Sequence, residues 1–305
     1  MQGSTIKYNY WNGQRWFSRI RDACNGAPNT AAYILVAGAV VLWASWPALA
    51  TIAYPAPPFL VLGMSALIGF VFSFLISVVN HKSTSFFAAR KRTLLFVAFG
   101  LMGNNAFYLA AITRIGPAEA NVVHYLWPVF LLILASFIHR RKPTLVQVIG
   151  ITAGFIGVAV ALAPSIGLGL DVTGVMLGVC GALTFAIYSV VRSLARAEQN
   201  VVGPSLGLAG VAALVAHFAT EQLYWPSANQ WIAITLMGIG PFTVANILWD
   251  KATRVGSTAI ISSLAFLTPL VAIALLAAFG LGTVQLATVL GACLVIAGTV
   301  MAARS

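Results

Sequence analysis

Residues 58–79 read PFLVLGMSALIGFVFSFLISVV, an apolar run of 22 residues without a charged side chain. At 1.5 Å per helical residue such a run crosses the ~30 Å hydrocarbon layer, and its apolar residues do not alternate as those of a strand would. Backbone groups in lipid are satisfied only inside helices or closed barrels, so the run is expected to be a membrane-spanning helix. Working outward, comparable runs lie at 31–53, 94–113, 118–138, 144–162, 172–192, 202–219, 230–250, 258–279 and 284–302, which makes ten expected spans. Between them stand Pro55-Ala56-Pro57-Pro58, Gly116-Pro117, Arg140-Arg141-Lys142-Pro143 and Gly203-Pro204. Composition agrees: 8% of the residues are charged, against about 25% in soluble domains, too few to coat a water-soluble core. The expected fold class is an all-α membrane protein.

A net charge of +11 invites a nucleic-acid reading, but the basic residues are distributed loop by loop and form no stripe. Their distribution sets an orientation instead. With the N-terminus in the cytoplasm, the cytoplasmic segments carry Lys7, Arg15, Arg19, Arg21, Lys82, Arg90, Lys91, Arg92, Arg140, Arg141, Lys142, Arg192, Arg196, Lys251, Arg254 and Arg304, which is 16 of the 17 Lys and Arg residues. Arg114 alone falls outside. The expected location is a bacterial inner membrane with both termini cytoplasmic. Residues 1–30 form a tail in which Trp11, Trp16, Phe17 and Ile20 mix with Arg15, Arg19 and Arg21. Such a tail lies on anionic lipid as an amphipathic segment, or it is a solvated stretch that only helps to set topology. The first apolar run follows this tail at nearly full span length, which reads as a retained helix rather than a cleaved signal.

The chain also repeats itself. Ile112-Thr113-Arg114-Ile115-Gly116 matches Ala252-Thr253-Arg254-Val255-Gly256, and Leu126-Trp127-Pro128 matches Leu267-Thr268-Pro269. Gly150 and Gly157 match Gly291 and Gly298, and Trp43-Ala44-x-Trp46 matches Phe185-Ala186-x-Tyr188. Residues 31–163 and 164–305 are thus expected to be two five-helix repeats. Five is odd, so the second would insert upside down, and inverted repeats are a transporter device for alternating access to a central site. The glycines 174, 178 and 181 and the glycines 203, 207 and 210 each place small residues on one helix face, which close helix packing accounts for.

These features resemble the drug/metabolite transporter superfamily in its EamA branch, over nearly all of residues 31–303. The resemblance rests on the two halves, the Leu42-Trp43-Ala44 opening and the two Pro-bearing helices. Two further motifs are similar to the aromatic amino acid exporter subgroup. One is Glu119 followed by His124-Tyr125-Leu126-Trp127-Pro128; the other is Trp249-Asp250-Lys251-Ala252 with Arg254 and Gly256, then Leu267-Thr268-Pro269. The resemblance implies export of amino acids, bulky or aromatic ones among them.

Polar side chains deep in hydrocarbon are costly unless they line a cavity or find partners. His124, Tyr125 and Trp127 sit mid-span and are expected to contact substrate, with the imidazole hydrogen-bonding a carboxylate and the rings packing on an apolar side chain or cation. The alternative is an internally bonded core. Asn104, Asn105 and Asn246 join this set on the same ground. Trp43, Trp46 and Tyr188 stand at matching places in the two halves, and with Trp249 they are expected as cavity walls rather than interfacial anchors. Asp250 is a candidate gate residue, paired with Lys251, Arg254, Arg192 or Arg196. Glu119 is a helix-start carboxylate within reach of Arg114, read as a cap or as a coupling site. Glu119 and His124 are five residues apart, about 140° around the helix, so a direct relay between them is disfavoured.

No phosphate-binding loop is present, so nucleotide hydrolysis is not expected, and neither are H-E-x-x-H, G-x-G-D or G-x-S-G motifs of an intramembrane enzyme. Cys24, Cys180 and Cys293 lie too far apart for a metal spacing, and no cofactor or metal is expected. The leading function is a secondary exporter of amino acids that acts as a monomer and follows the substrate's own gradient. The alternatives are a proton-coupled exporter of other metabolites or cationic drugs, and a membrane scaffold or receptor.

Overall fold

The computed structural model describes residues 28–82, 85–138, 144–166, 169–194, 201–255, 267–281 and 285–303. Most of the N-terminal tail, the 139–143 loop and the first part of the ninth expected span lie outside them. Among the described residues every regular element is helical. The helices are α1 Pro28–Ala44, α2 Trp46–Ala53, α3 Pro58–Val79, α4 Lys91–Ile115, α5 Pro117–His124, α6 Trp127–Ile138, α7 Leu145–Ile166, α8 Val172–Leu194, α9 Val202–Thr220, α10 Ala228–Met237, a π-helix at Gly238–Ala245, α11 Asn246–Val255, α12 Thr268–Ala278 and α13 Leu286–Ala303. Among the described residues seven stretches are long and apolar enough to cross a membrane: 33–53, 58–79, 91–115, 145–164, 172–192, 202–220 and 228–252. Large apolar side chains such as Val71, Leu75, Phe99, Val215 and Phe218 face outward, as lipid contact requires.

Among the described residues three of the expected spans are interrupted, which the hydropathy pattern did not announce. The first breaks at Ser45, whose hydroxyl donates to the Leu42 carbonyl at 2.7 Å. Pro47 then sits in the first turn of α2, where its missing N–H costs nothing. The fourth breaks at Tyr125 and Leu126, between α5 and α6, with Pro128 in the first turn that follows. The eighth widens into the π-helix around Pro241. Carbonyls loosened there are taken up by side chains: Thr243 Oγ1 donates to Gly238 O at 2.7 Å, and Asn246 Nδ2 donates to Pro241 O and Phe242 O, each at 2.9 Å. Interrupted helices of this kind survive at membrane depth only where protein or a cavity covers the freed backbone.

The packing pairs one half with the other. α4 lies on α8, α11 on α1, α3 on α9 and α7 on α13. Replacing each helix by its counterpart in the other half leaves this set of pairs unchanged. The repeated glycines explain the closest pair. A Cβ on Gly157 of α7 would stand 2.6 Å from the Gly291 carbonyl oxygen and 2.7 Å from Val295 N of α13, so the two backbones touch where no side chain fits. The stripe at 174, 178 and 181 of α8 seats Ile115, Val123 and the Asn104 backbone, and the stripe at 203, 207 and 210 of α9 seats Ser73, Phe70 and Leu67.

Candidate functional site

The three interruptions meet at one level. They enclose a cavity of about 50 Å³ lined by Trp43, Trp46, Leu101, Asn104, Asn105, Tyr108, Asn121, His124, Tyr125, Trp127, Phe185, Pro241 and Asn246. That volume holds a few water molecules, far less than the ~300 Å³ at which ligand pockets begin. The site is therefore contracted in this conformation. No Asp, Glu, Lys or Arg stands among these lining residues.

Helix α5 delivers the polar wall. His124 Nε2 and Asn104 Oδ1 lie 2.6 Å apart, and the Tyr108 ring stacks on the imidazole with centroids 4.4 Å apart. The Tyr108 hydroxyl donates to Asn121 Oδ1 at 3.0 Å. The Tyr125 hydroxyl hydrogen-bonds with Thr268, which ties α5 to the start of α12. Asn105 turns back on its own helix and donates to Leu101 O at 2.7 Å. Three buried polar atoms on the cavity residues have no hydrogen-bond partner among the described residues: Trp46 Nε1, Asn121 Nδ2 and Asn246 Oδ1.

Below the cavity the way is filled by rings. Trp249 packs on Trp43 at 5.2 Å and on Trp127 at 5.6 Å, and Phe185 packs on Trp127 at 5.0 Å and on Trp43 at 5.7 Å. One residue beyond Trp249, Arg192 Nη2 meets Asp250 Oδ1 at 2.5 Å, with only 7% and 8% of the two side chains exposed. At the other end a wider cavity of about 270 Å³ begins one turn past Trp46 and Tyr108, lined by Ala50, Tyr54, Ile112, Thr113, Gly116 and Pro117 among others.

Eight of the ten expected contact residues border the central cavity: Trp43, Trp46, Asn104, Asn105, His124, Tyr125, Trp127 and Asn246. Tyr188 and Trp249 do not. Tyr188 is fully buried beside Phe185 and against Gly100 of α4, outside the cavity lining. Trp249 belongs to the ring plug. His124, expected to offer its imidazole to a carboxylate, has its Nε2 on Asn104 Oδ1. Arg114 does not reach Glu119; it pairs with Asp171 at 2.9 Å. Glu119 stays in the first turn of α5, with its carboxylate against its own backbone N–H. Asp250 takes Arg192 among its expected partners. Asp171 also accepts the Gly174 N–H at 3.0 Å as a cap for α8, and this bond, with Arg114 beside it, holds its carboxyl below the usual range.

Tyr108 and Asn121 were missed by sequence reasoning. The signal was available: Tyr108 is one turn from Asn104 and Asn121 one turn from His124, positions that share a helix face. Asn246 follows Asn104 by 142 residues, the same spacing by which Phe185 follows Trp43, so the two asparagines are counterparts in the two halves.

The model of the EamA-like transporter family matches twice, over residues 30–163 and 172–304. The chain belongs to the EamA-like transporter family. This EamA-like protein, a multi-pass membrane transporter of the drug/metabolite transporter superfamily, has a relative in the aromatic amino acid exporter YddG of Ancylobacter novellus, 29% identical over 87% of this chain and 94% of the relative. It is 28% identical to the uncharacterized transporter YvbV of Bacillus subtilis, over 81% of this chain and 83% of that one. A solved protein structure at 24% identity superposes with a TM-score of 0.73, over 90% of this chain and 96% of that structure, so the fold is shared.

Proposed function

We propose that this EamA-like transporter exports amino acids with bulky apolar side chains from the cytoplasm by alternating access, without nucleotide hydrolysis. The observation that carries the reading is the central cavity itself: aromatic walls, hydrogen-bonding amides and no ionised side chain among the described lining residues, set where three interrupted helices meet. Rings favour an apolar side chain, and amides satisfy a polar head group. A cationic drug would find π-faces but no carboxylate among those residues. The YddG relative, named as an aromatic amino acid exporter, supports the same cargo class.

The ten spans divide as two inverted five-helix halves, 31–163 and 164–305, with both termini in the cytoplasm of a bacterial cell and the chain in its inner membrane. The pairing of helices between halves and the twofold family match support this division. The Arg192 end then faces the cytoplasm and the Gly116 end the periplasm. In this conformation the cytoplasmic route is plugged and the periplasmic vestibule is open. Export follows the substrate's own gradient, since the cavity residues include no carboxylate to carry a coupling proton.

The test is counterflow in proteoliposomes with a panel of labelled amino acids. Exchange of L-phenylalanine and other bulky apolar amino acids, independent of an imposed pH gradient, is the expected result. Absence of amino acid exchange by monodisperse protein would overturn the reading.

A further inference from the structure

We propose that the cavity binds the charged head of the amino acid with uncharged groups, Trp46 Nε1 and Asn121 Nδ2 donating to the α-carboxylate and Asn246 Oδ1 accepting from the α-ammonium. The inference rests on the amino acid reading above and assigns the atoms that give it specificity.

Buried polar atoms in folded proteins nearly always have partners, so three orphans around one cavity call for an explanation. Trp46, Asn121 and Asn246 are 4%, 2% and 3% exposed, and each keeps one polar atom unpaired. Their orientations are held by other bonds. Asn246 spends its amide donors on the Pro241 and Phe242 carbonyls that the π-helix frees, which leaves only its oxygen unpaired. Asn121 spends its oxygen on the Tyr108 hydroxyl, which leaves only its N–H groups. Trp46 has a donor and nothing else. The free set is therefore two donors and one acceptor.

That set complements one chemistry. A carboxylate is acceptor-only and an ammonium is donor-only. An uncharged site suits a head group whose own charges cancel, because no net charge is carried into the membrane, and hydrogen bonds to ionised groups are the stronger kind. The two halves are not equivalent here. Asn104, the counterpart of Asn246, has its oxygen engaged by His124. Among the buried cavity groups the unpaired acceptor thus stands on one side only, at Asn246, and it orients the substrate. The side chain then falls toward Trp43, Trp127 and Phe185, whose rings must part to admit it, since the contracted cavity of about 50 Å³ takes little more than the head.

The experiment is competition against labelled L-phenylalanine counterflow by purified full-length protein in liposomes. The competitors are unlabelled L-phenylalanine, phenethylamine, which lacks the carboxylate, and 3-phenylpropionate, which lacks the ammonium. Wild type should rank each analogue about tenfold or more below L-phenylalanine, as loss of one or two charge-assisted bonds implies. Asn246→Leu should bring 3-phenylpropionate level with L-phenylalanine and leave phenethylamine weak. Asn121→Leu and Trp46→Phe should do the converse. Asn246→Asp, which keeps the acceptor and adds charge, should favour phenethylamine, and it serves if the leucine variant does not fold. L-phenylalanine exchange in which all three compounds compete equally would overturn this assignment, pointing to ordered water as the partner of the orphans, and would leave amino acid export standing. Variants that weaken all three competitors alike would overturn it too. No amino acid exchange at all would instead sink the export reading.

Discussion

The two ends of the molecule each carry an Arg–Asp pair, and the pairs do different work. Arg192–Asp250 is closed to solvent, backed by Trp43, Trp127, Phe185 and Trp249. Arg114–Asp171 sits in the open, with side chains 49% and 34% exposed, beside a cavity of about 270 Å³. The difference is dielectric. A pair that has lost its water depends on its partner, because either charge left alone is uncompensated. An exposed pair has water as an alternative partner and contributes little. The same two residue types therefore form a lock at one end and trim a surface at the other.

The largest expected effect tests the lock. Arg192→Ala should destabilise the protein by about 3–5 kcal/mol in a detergent unfolding assay, the usual cost of breaking a buried ion pair from one side. Removing both charges with Arg192→Leu and Asp250→Leu together should restore most of that loss. A single variant that unfolds like wild type would break the comparison. Accessibility sharpens it. On a cysteine-free background, Thr113→Cys beside the open cavity should react with a membrane-impermeant thiol reagent in intact cells. Ser189→Cys, one turn from the ring plug and 7% exposed, should stay unlabelled over the same time.

An intermediate effect belongs to the level between the ends. His124→Ala removes the partner of Asn104 and the stacking face of Tyr108, and should lower flux about tenfold at unchanged expression, as loss of one buried bond and one stacked ring predicts. His124→Asn, which keeps a donor for Asn104, should recover part of it. Equal flux from wild type and His124→Ala would remove the polar wall from the site.

The smallest effect is at the exposed end. Asp171 has its carboxyl held low, first by the Gly174 N–H and then by Arg114. Its folded pKa lies below the unfolded value of about 3.9, so its contribution is fully present above that pH. It falls as the pH drops through the native pKa. Asp171→Asn should therefore melt slightly below wild type at pH 7 and converge with it in strong acid. A gap that persists or widens toward low pH would contradict this assignment.

Much was legible in one dimension because the bilayer imposes simple constraints. The length of an apolar run, the placement of Lys and Arg and the 142-residue echo of Trp43 in Phe185 each follow from hydrocarbon thickness, charge retention or duplication, and none needs neighbours. Those features led to helices, halves and family. Membrane depth likewise singled out His124, Asn104 and Asn246, since polar groups there need a reason. What a side chain touches was not encoded that way. Hydropathy sees Ser45, Tyr125 and Pro241 as ordinary members of their runs, yet the helix is interrupted at each, because a break depends on which carbonyls the surrounding helices can satisfy. Tyr188 and Trp46 look alike along the sequence, and only packing directs one behind Phe185 and the other into the cavity. Arg114 lies five residues from Glu119 but bonds Asp171 on α8, because through-space distance, not chain separation, selects an ion's partner.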